Sequence, residues 1–167
     1  SKITDWTKRD CVFFGDGAGA IILSEVNGGW VSTDIFGDAN GKEAFTCHHS
    51  GKFRMDGKAV YEFGTSTLPK TNKNSLEELQ IPKEDVAWII PHQPGHRVLL
   101  KTAELLDFPL DKLVFNMTKF GNTAGASIPM ALDSLYRQNK INNGDILVLP
   151  AIGSGWTFGV SVIKYVK

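Results

Sequence analysis

The stretch Val86-Ala87-Trp88-Ile89-Ile90-Pro91-His92-Gln93 decides how the rest of this chain is read. Val86 to Ile90 is an apolar run of strand length, His92 closes it, and helix-forming sequence follows. The same pattern recurs at Leu113-Val114-Phe115-Asn116-Met117. That run leads to Asn122 inside Gly121-Asn122-Thr123 and again precedes a helical pattern. Strand ends in an α/β layer are where ligand sites tend to lie. An imidazole and a carboxamide placed there supply hydrogen-bond donors able to converge on one developing oxyanion. Taken alone, each residue reads more readily as a cap on a strand-to-helix turn. The surrounding segments favour a site.

Outward from this pair, strands are expected at 11–14, 20–26, 30–35, 113–117, 146–149 and 156–165. Asp56 is placed to N-cap a helix carrying Val60, Phe63 and Leu68, kinked by Pro69 and extended through Leu76 and Leu79. Further helices are expected at about 94–106 and 124–139. In the latter, Ile128, Leu132, Leu135 and Tyr136 make a helical stripe. Residues 36–54 read as a polar loop. Strands, then alternating helices and strands, then two closing strands make one α/β layer system without repeats or linkers.

Composition excludes several classes. The chain has 167 residues, 42% hydrophobic and 22% charged, as expected of a globular domain. Lys+Arg and Asp+Glu balance at 18 each, so no global field recruits nucleic acid or an anionic membrane. No apolar run approaches a membrane span. Ser1 to Trp6 shows neither a signal pattern nor an initiator Met and reads as the start of a fragment. Cys11 and Cys47 make no disulfide framework and fit a reducing cytoplasm, with Cys11 expected to be a buried small hydrophobe. Cys47-His48-His49 invites a zinc reading, but three adjacent ligands cannot all face one ion and no second cluster completes the set. No metal is expected.

Three glycine-bearing segments need separate readings. Gly15-Asp16-Gly17-Ala18-Gly19 has glycine at every second position, unlike a dinucleotide loop that opens a helix, and is better explained by close backbone packing. Asp38-Ala39-Asn40-Gly41 lacks the frame of a calcium loop and reads as a turn. Gly153-Ser154-Gly155 joins two strands and is either a hairpin turn or a loop whose N–H groups point at a ligand. Arg97 and Lys101, beside His96, form a small basic strip near a helix N-terminus, where anions are favoured, or a solvated helix face.

These segments together resemble the C-terminal half of a ketoacyl-acyl-carrier-protein synthase III, a condensing enzyme of the thiolase superfamily. The matching pieces are Phe14-Gly15-Asp16-Gly17-Ala18-Gly19-Ala20, Met55 to Phe63, Pro91-His92-Gln93 with Arg97, Phe120 to Pro129, and Gly153 to Gly159. They stand in the family's order and spacing over essentially residues 1–167. The resemblance implies a thiolase-like fold, of which this chain is one αβ half with a mixed five-stranded sheet and packed helices.

It further implies that His92 and Asn122 are two members of a Cys-His-Asn triad whose cysteine belongs to an N-terminal half outside this chain. Gly153, Ser154 and Gly155 would form an oxyanion-hole loop. Arg97, Lys101 and Arg9 (or Lys8) would meet acyl carrier protein or coenzyme A. The implied reaction is decarboxylative condensation of an acyl thioester with malonyl-acyl-carrier protein in fatty acid or related biosynthesis. Coenzyme A and phosphopantetheine thioesters serve as substrates, no cofactor is needed, and a cytoplasmic homodimer is expected. Gly95 stands where the family often has Asn, and Ile152 where Phe is common, which bears on substrate preference. The alternatives are a non-catalytic scaffold half and a related acyltransferase using another acceptor.

Overall fold

The computed structural model describes residues 3–47 and 51–167; Ser1, Lys2, His48, His49 and Ser50 lie outside the described residues. The main sheet has four strands: β1 (Trp30–Gly37), β4 (Val86–Ile89), β5 (Ile146–Gly153) and β6 (Thr157–Lys164), in the order β1-β6-β5-β4. β4 and β5 are parallel, while β6 runs antiparallel to both β5 and β1. A separate pair, β2 (Phe45–Thr46) and β3 (Arg54–Met55), lies within the stretch expected to be loop. The helices are α1 (Gly57–Glu78), α2 (His96–Leu106), the single turn α3 (Met117–Phe120) and α4 (Ser127–Arg137).

The helix positions follow from local chemistry. The Asp56 carboxylate accepts from the Lys58 and Ala59 N–H groups at 3.0 Å, satisfying two donors that α1 cannot serve internally. Alternation along β5 then divides the core between the two faces of the sheet. Val148 packs with Leu76, Ile89, Leu99 and Val160 on the α1/α2 side. Leu147 and Leu149 pack with Ile90, Ala131 and Leu135 on the α4 side. Full burial of each such aliphatic side chain contributes about 1.5–3 kcal/mol. On α4, Leu135 is buried, whereas Tyr136, expected in the same stripe, is 49% exposed with the Lys167 ammonium over its ring.

Two expected strands are not formed. Residues 9–12 make a 3₁₀ turn, and 15–26 run without ladder pairing, leaving Ile22 94% and Leu23 76% exposed. A strand is defined by a partner's backbone, and no described residue pairs with 20–26. Cys11 is correspondingly half-buried, not buried. The 113–117 segment keeps a single bridge, Ile89 to Leu113, so the sheet has four strands and one bridging residue in place of five strands.

Candidate active site

β4 and β5 run parallel toward the site, and the ladder continues past the strand end. The Ile90 N–H donates to the Val148 carbonyl and the His92 N–H to the Pro150 carbonyl, both at 2.8 Å. This pins the backbone of His92 to β5. Gln93, fully buried, then ties the same loop to the next one. Its Nε2 donates to the Pro91 and Val114 carbonyls at 3.0 and 2.9 Å. Its Oε1 accepts from the Asn116 and Met117 N–H groups at 3.1 and 3.2 Å. One carboxamide thus supplies four bonds where a fifth strand would have had a ladder. That explains why 113–117 loses its strand character.

Asn122 is held from the opposite side. The Gly15 N–H donates to the Asn122 carbonyl at 2.8 Å, and Phe14 bridges Asn122 in parallel sense. A Cβ on Gly15 would lie 1.8 Å from the Phe120 carbonyl oxygen, one on Gly17 2.7 Å from Met130 Sδ, and one on Gly19 2.5 Å from Pro129. The alternating glycines therefore let an extended backbone lie flat against 120–130, the close packing expected from their spacing. The Asn122 Oδ1 accepts from the Ala124 N–H at 2.9 Å, which leaves Nδ2 as the donor it offers. Ala124 adopts φ +48°, a left-handed conformation costing a non-glycine residue roughly 1–2 kcal/mol. Such strain is characteristic of functional turns.

His92 and Asn122 both line one cavity of about 750 Å³, whose walls include Phe14, Ile128, Ile152 and Trp156. The His92 ring has lost most of its water within this apolar wall, which pushes its pKa down from 6.5 to about 4, a backbone hydrogen bond with Ala124 opposing. The imidazole is therefore neutral at neutral pH. Its Nδ1 lies 2.9 Å from the Ser127 hydroxyl, which itself donates to the Ala124 carbonyl at 2.8 Å.

Gly153 and Ser154 line the same cavity, and Gly155 does not. The Ser154 hydroxyl donates to the Phe45 carbonyl at 2.6 Å, so what this loop can turn toward a ligand is backbone. Trp156 anchors the loop, stacked on Phe63 with centroids 4.2 Å apart and seated where Gly41 has no Cβ. Arg97, Lys101 and Arg9 do not line the cavity. Arg97 and Arg9 are exposed, while Lys101 pairs with Glu104 three residues along its own helix. At Gly95, φ is 172° and a Cβ would come no nearer than 3.9 Å to Val98, so the backbone does not demand glycine there. Among the described residues no group of three His, Cys, Asp or Glu side chains is placed to hold a metal ion.

Sequence reasoning quoted Gln93 and Ser127 only inside motifs and gave neither a role. The one signal for Gln93 was a polar residue beside an apolar strand end.

Residues 76–165 match the family model for 3-oxoacyl-[acyl-carrier-protein] synthase III, C-terminal, and residues 1–39 match the companion model for 3-oxoacyl-[acyl-carrier-protein] synthase III. The chain belongs to this family. It is 36% identical over 170 residues to a beta-ketoacyl-[acyl-carrier-protein] synthase III of Oceanobacillus iheyensis, covering 100% of this chain and 54% of that protein. The solved 3-oxoacyl-[acyl-carrier-protein] synthase III of Aquifex aeolicus superimposes with TM-score 0.92 and 32% identity, over 98% of this chain and 54% of that one. The Thermus thermophilus enzyme gives TM-score 0.86 and 25% identity over 98% of this chain and 56% of its own. The chain thus spans about half the length of the relatives it matches. The fold is accordingly the thiolase-like α/β architecture of these synthases.

Proposed function

We propose that this chain is the C-terminal half of a condensing acyltransferase that joins an acyl thioester to malonyl-acyl-carrier protein with loss of carbon dioxide. The observation that carries the reading is the meeting of His92, Asn122 and the Gly153–Ser154 turn in one apolar cavity, in a chain of this family. The acyl group would first pass to a cysteine thiol supplied by an N-terminal half. As the malonyl carboxylate leaves, negative charge collects on the thioester oxygen. Donors at His92 and Asn122 stabilise that charge more in the transition state than in the ground state. The resulting carbanion attacks the acyl-cysteine carbonyl, whose own oxyanion would meet the backbone of the Gly153–Gly155 loop. The apolar walls suit an acyl chain.

Exposed Arg97, with Arg9 and the partly neutralised Lys101, would receive the acidic carrier protein or coenzyme A phosphates. No cofactor enters the scheme; the thioesters are substrates. The free thiols of Cys11 and Cys47 are in keeping with a cytoplasmic setting, and the uncovered Ile22 and Leu23 with burial against the N-terminal half or across a homodimer. Among the described residues no helix is long and apolar enough to cross a membrane.

The test is made in the intact protein. His92→Ala and Asn122→Ala should each depress malonyl decarboxylation by roughly 10²–10³, the cost of one preorganised oxyanion donor, with acylation of the cysteine much less affected. Equal loss of both half-reactions, or no loss, removes these residues from the role.

A further inference from the structure

A neutral imidazole carries one proton, and its two nitrogens do different work depending on where that proton sits. The surroundings of His92 decide the matter by counting hydrogens. The Ser127 side chain, 1% exposed, has a single O–H and two polar neighbours: the Ala124 carbonyl at 2.8 Å and His92 Nδ1 at 2.9 Å. A carbonyl oxygen can only accept. If the hydroxyl proton goes to the carbonyl, Nδ1 must carry a proton to satisfy the second contact, and both bonds are made. If the proton goes to Nδ1 instead, two oxygens face each other at 2.8 Å with nothing between them, in a buried place where an unmade bond costs most. A backbone hydrogen bond with Ala124 also acts on the His92 ring and favours its charged form.

We propose that Ser127 is a positioning residue that holds His92 as the Nδ1–H tautomer, so that Nε2 presents a lone pair to the cavity in the free protein. The idea rests on the site reading above and sharpens it. The resting site then offers one donor, Asn122 Nδ2, and one acceptor, His92 Nε2, in place of two donors. Nε2 can accept a hydrogen bond from a thiol entering the cavity. His92 has an N–H for an oxyanion only once a proton reaches Nε2, while Nδ1–H stays on Ser127. Ser127 sits one turn beyond the strained Ala124, and Asn116 Nδ2 donates to its backbone carbonyl at 3.3 Å. The relay is thereby fixed at both ends.

The test is the long-range proton–nitrogen NMR spectrum of the intact protein carrying this chain, with ¹⁵N-histidine labelling. The His92 signals are assigned by their loss in His92→Gln. In the wild type, Nδ1 should show the protonated signature and Nε2 the unprotonated one at neutral pH. Ser127→Ala should move the population toward Nε2–H, the form free histidine prefers, and Ser127→Thr, which keeps a hydroxyl, should not. A wild-type spectrum with the proton on Nε2 overturns the proposal without reference to any variant's folding. An unchanged tautomer in folded Ser127→Ala assigns the hold to the Ala124 carbonyl and overturns the role of Ser127. If the tautomer is as stated but His92→Ala turns over normally, the catalytic reading fails and this assignment stands.

Discussion

Replacing Gln93 with Leu tests the claim that a single side chain aligns the loops that carry His92 and Asn122. Leu fills a similar volume but makes none of the four bonds to Pro91, Val114, Asn116 and Met117. Gln93 has no exposure, so water cannot replace them readily. Each buried group left unmade costs about 1–3 kcal/mol, the two N–H groups more surely than the two carbonyls, which keep a second lone pair. A loss of about 4 kcal/mol is therefore expected, or roughly 8–16 °C in Tm for a unit of this size. Gln93→Glu separates donor from acceptor function. It retains both acceptor bonds but turns a carboxylate toward two carbonyls, so its folded-state pKa is raised above that of a free glutamate. Stability of that variant should be greatest at low pH and fall as pH rises through the raised value. The assay is thermal unfolding across pH, with hydrogen exchange at Asn116 and Met117 reporting the local effect. A Gln93→Leu protein within 1 kcal/mol of wild type, or one whose Asn116 and Met117 amides stay protected, would refute the stapling argument.

Three further outcomes are expected. The His92 pKa, about 4 in the fold against an ordinary 6.5, means the unfolded chain binds the extra proton first. Stability should thus fall as pH drops from about 6.5 to about 4, by roughly 3 kcal/mol in all. His92→Gln should flatten that slope in pH-dependent denaturation. Arg97→Glu should raise KM for the carrier-protein or coenzyme A thioester, an effect that shrinks with added salt; a change in kcat alone would show that Arg97 is not a docking residue. Gly15→Ala forces a Cβ to within 1.8 Å of the Phe120 oxygen, so it should displace the Asn122 loop. In the intact protein the proposed condensation should then slow although Gly15 does not line the cavity, with the shift visible in the Asn122 amide resonance.

Much of this protein is legible from its sequence because helix signals are local. The Asp56 cap acts over three residues, the α2 and α4 patterns repeat every few, and both helices lie within two or three residues of where periodicity puts them. The glycine alternation at 15, 17 and 19 was readable as close packing because a missing Cβ is a fact of composition. Even the site pair, His92 and Asn122, was marked by polar residues closing apolar runs. Tertiary structure alone decided the rest, since sheet pairing and buried side-chain bonds link distant positions. Residues 20–26 have strand-forming composition yet make no ladder, because a strand exists only with a partner's backbone beside it. Leu113 to Met117 kept one bridge because Gln93, more than twenty residues earlier, took its hydrogen bonds. Tyr136 shares the helical stripe with Leu135 yet lies half-exposed beneath the Lys167 ammonium, a contact with the far C-terminal end of the chain. His92 Nδ1 meets the hydroxyl of Ser127, thirty-five residues away, a contact that no local pattern announces.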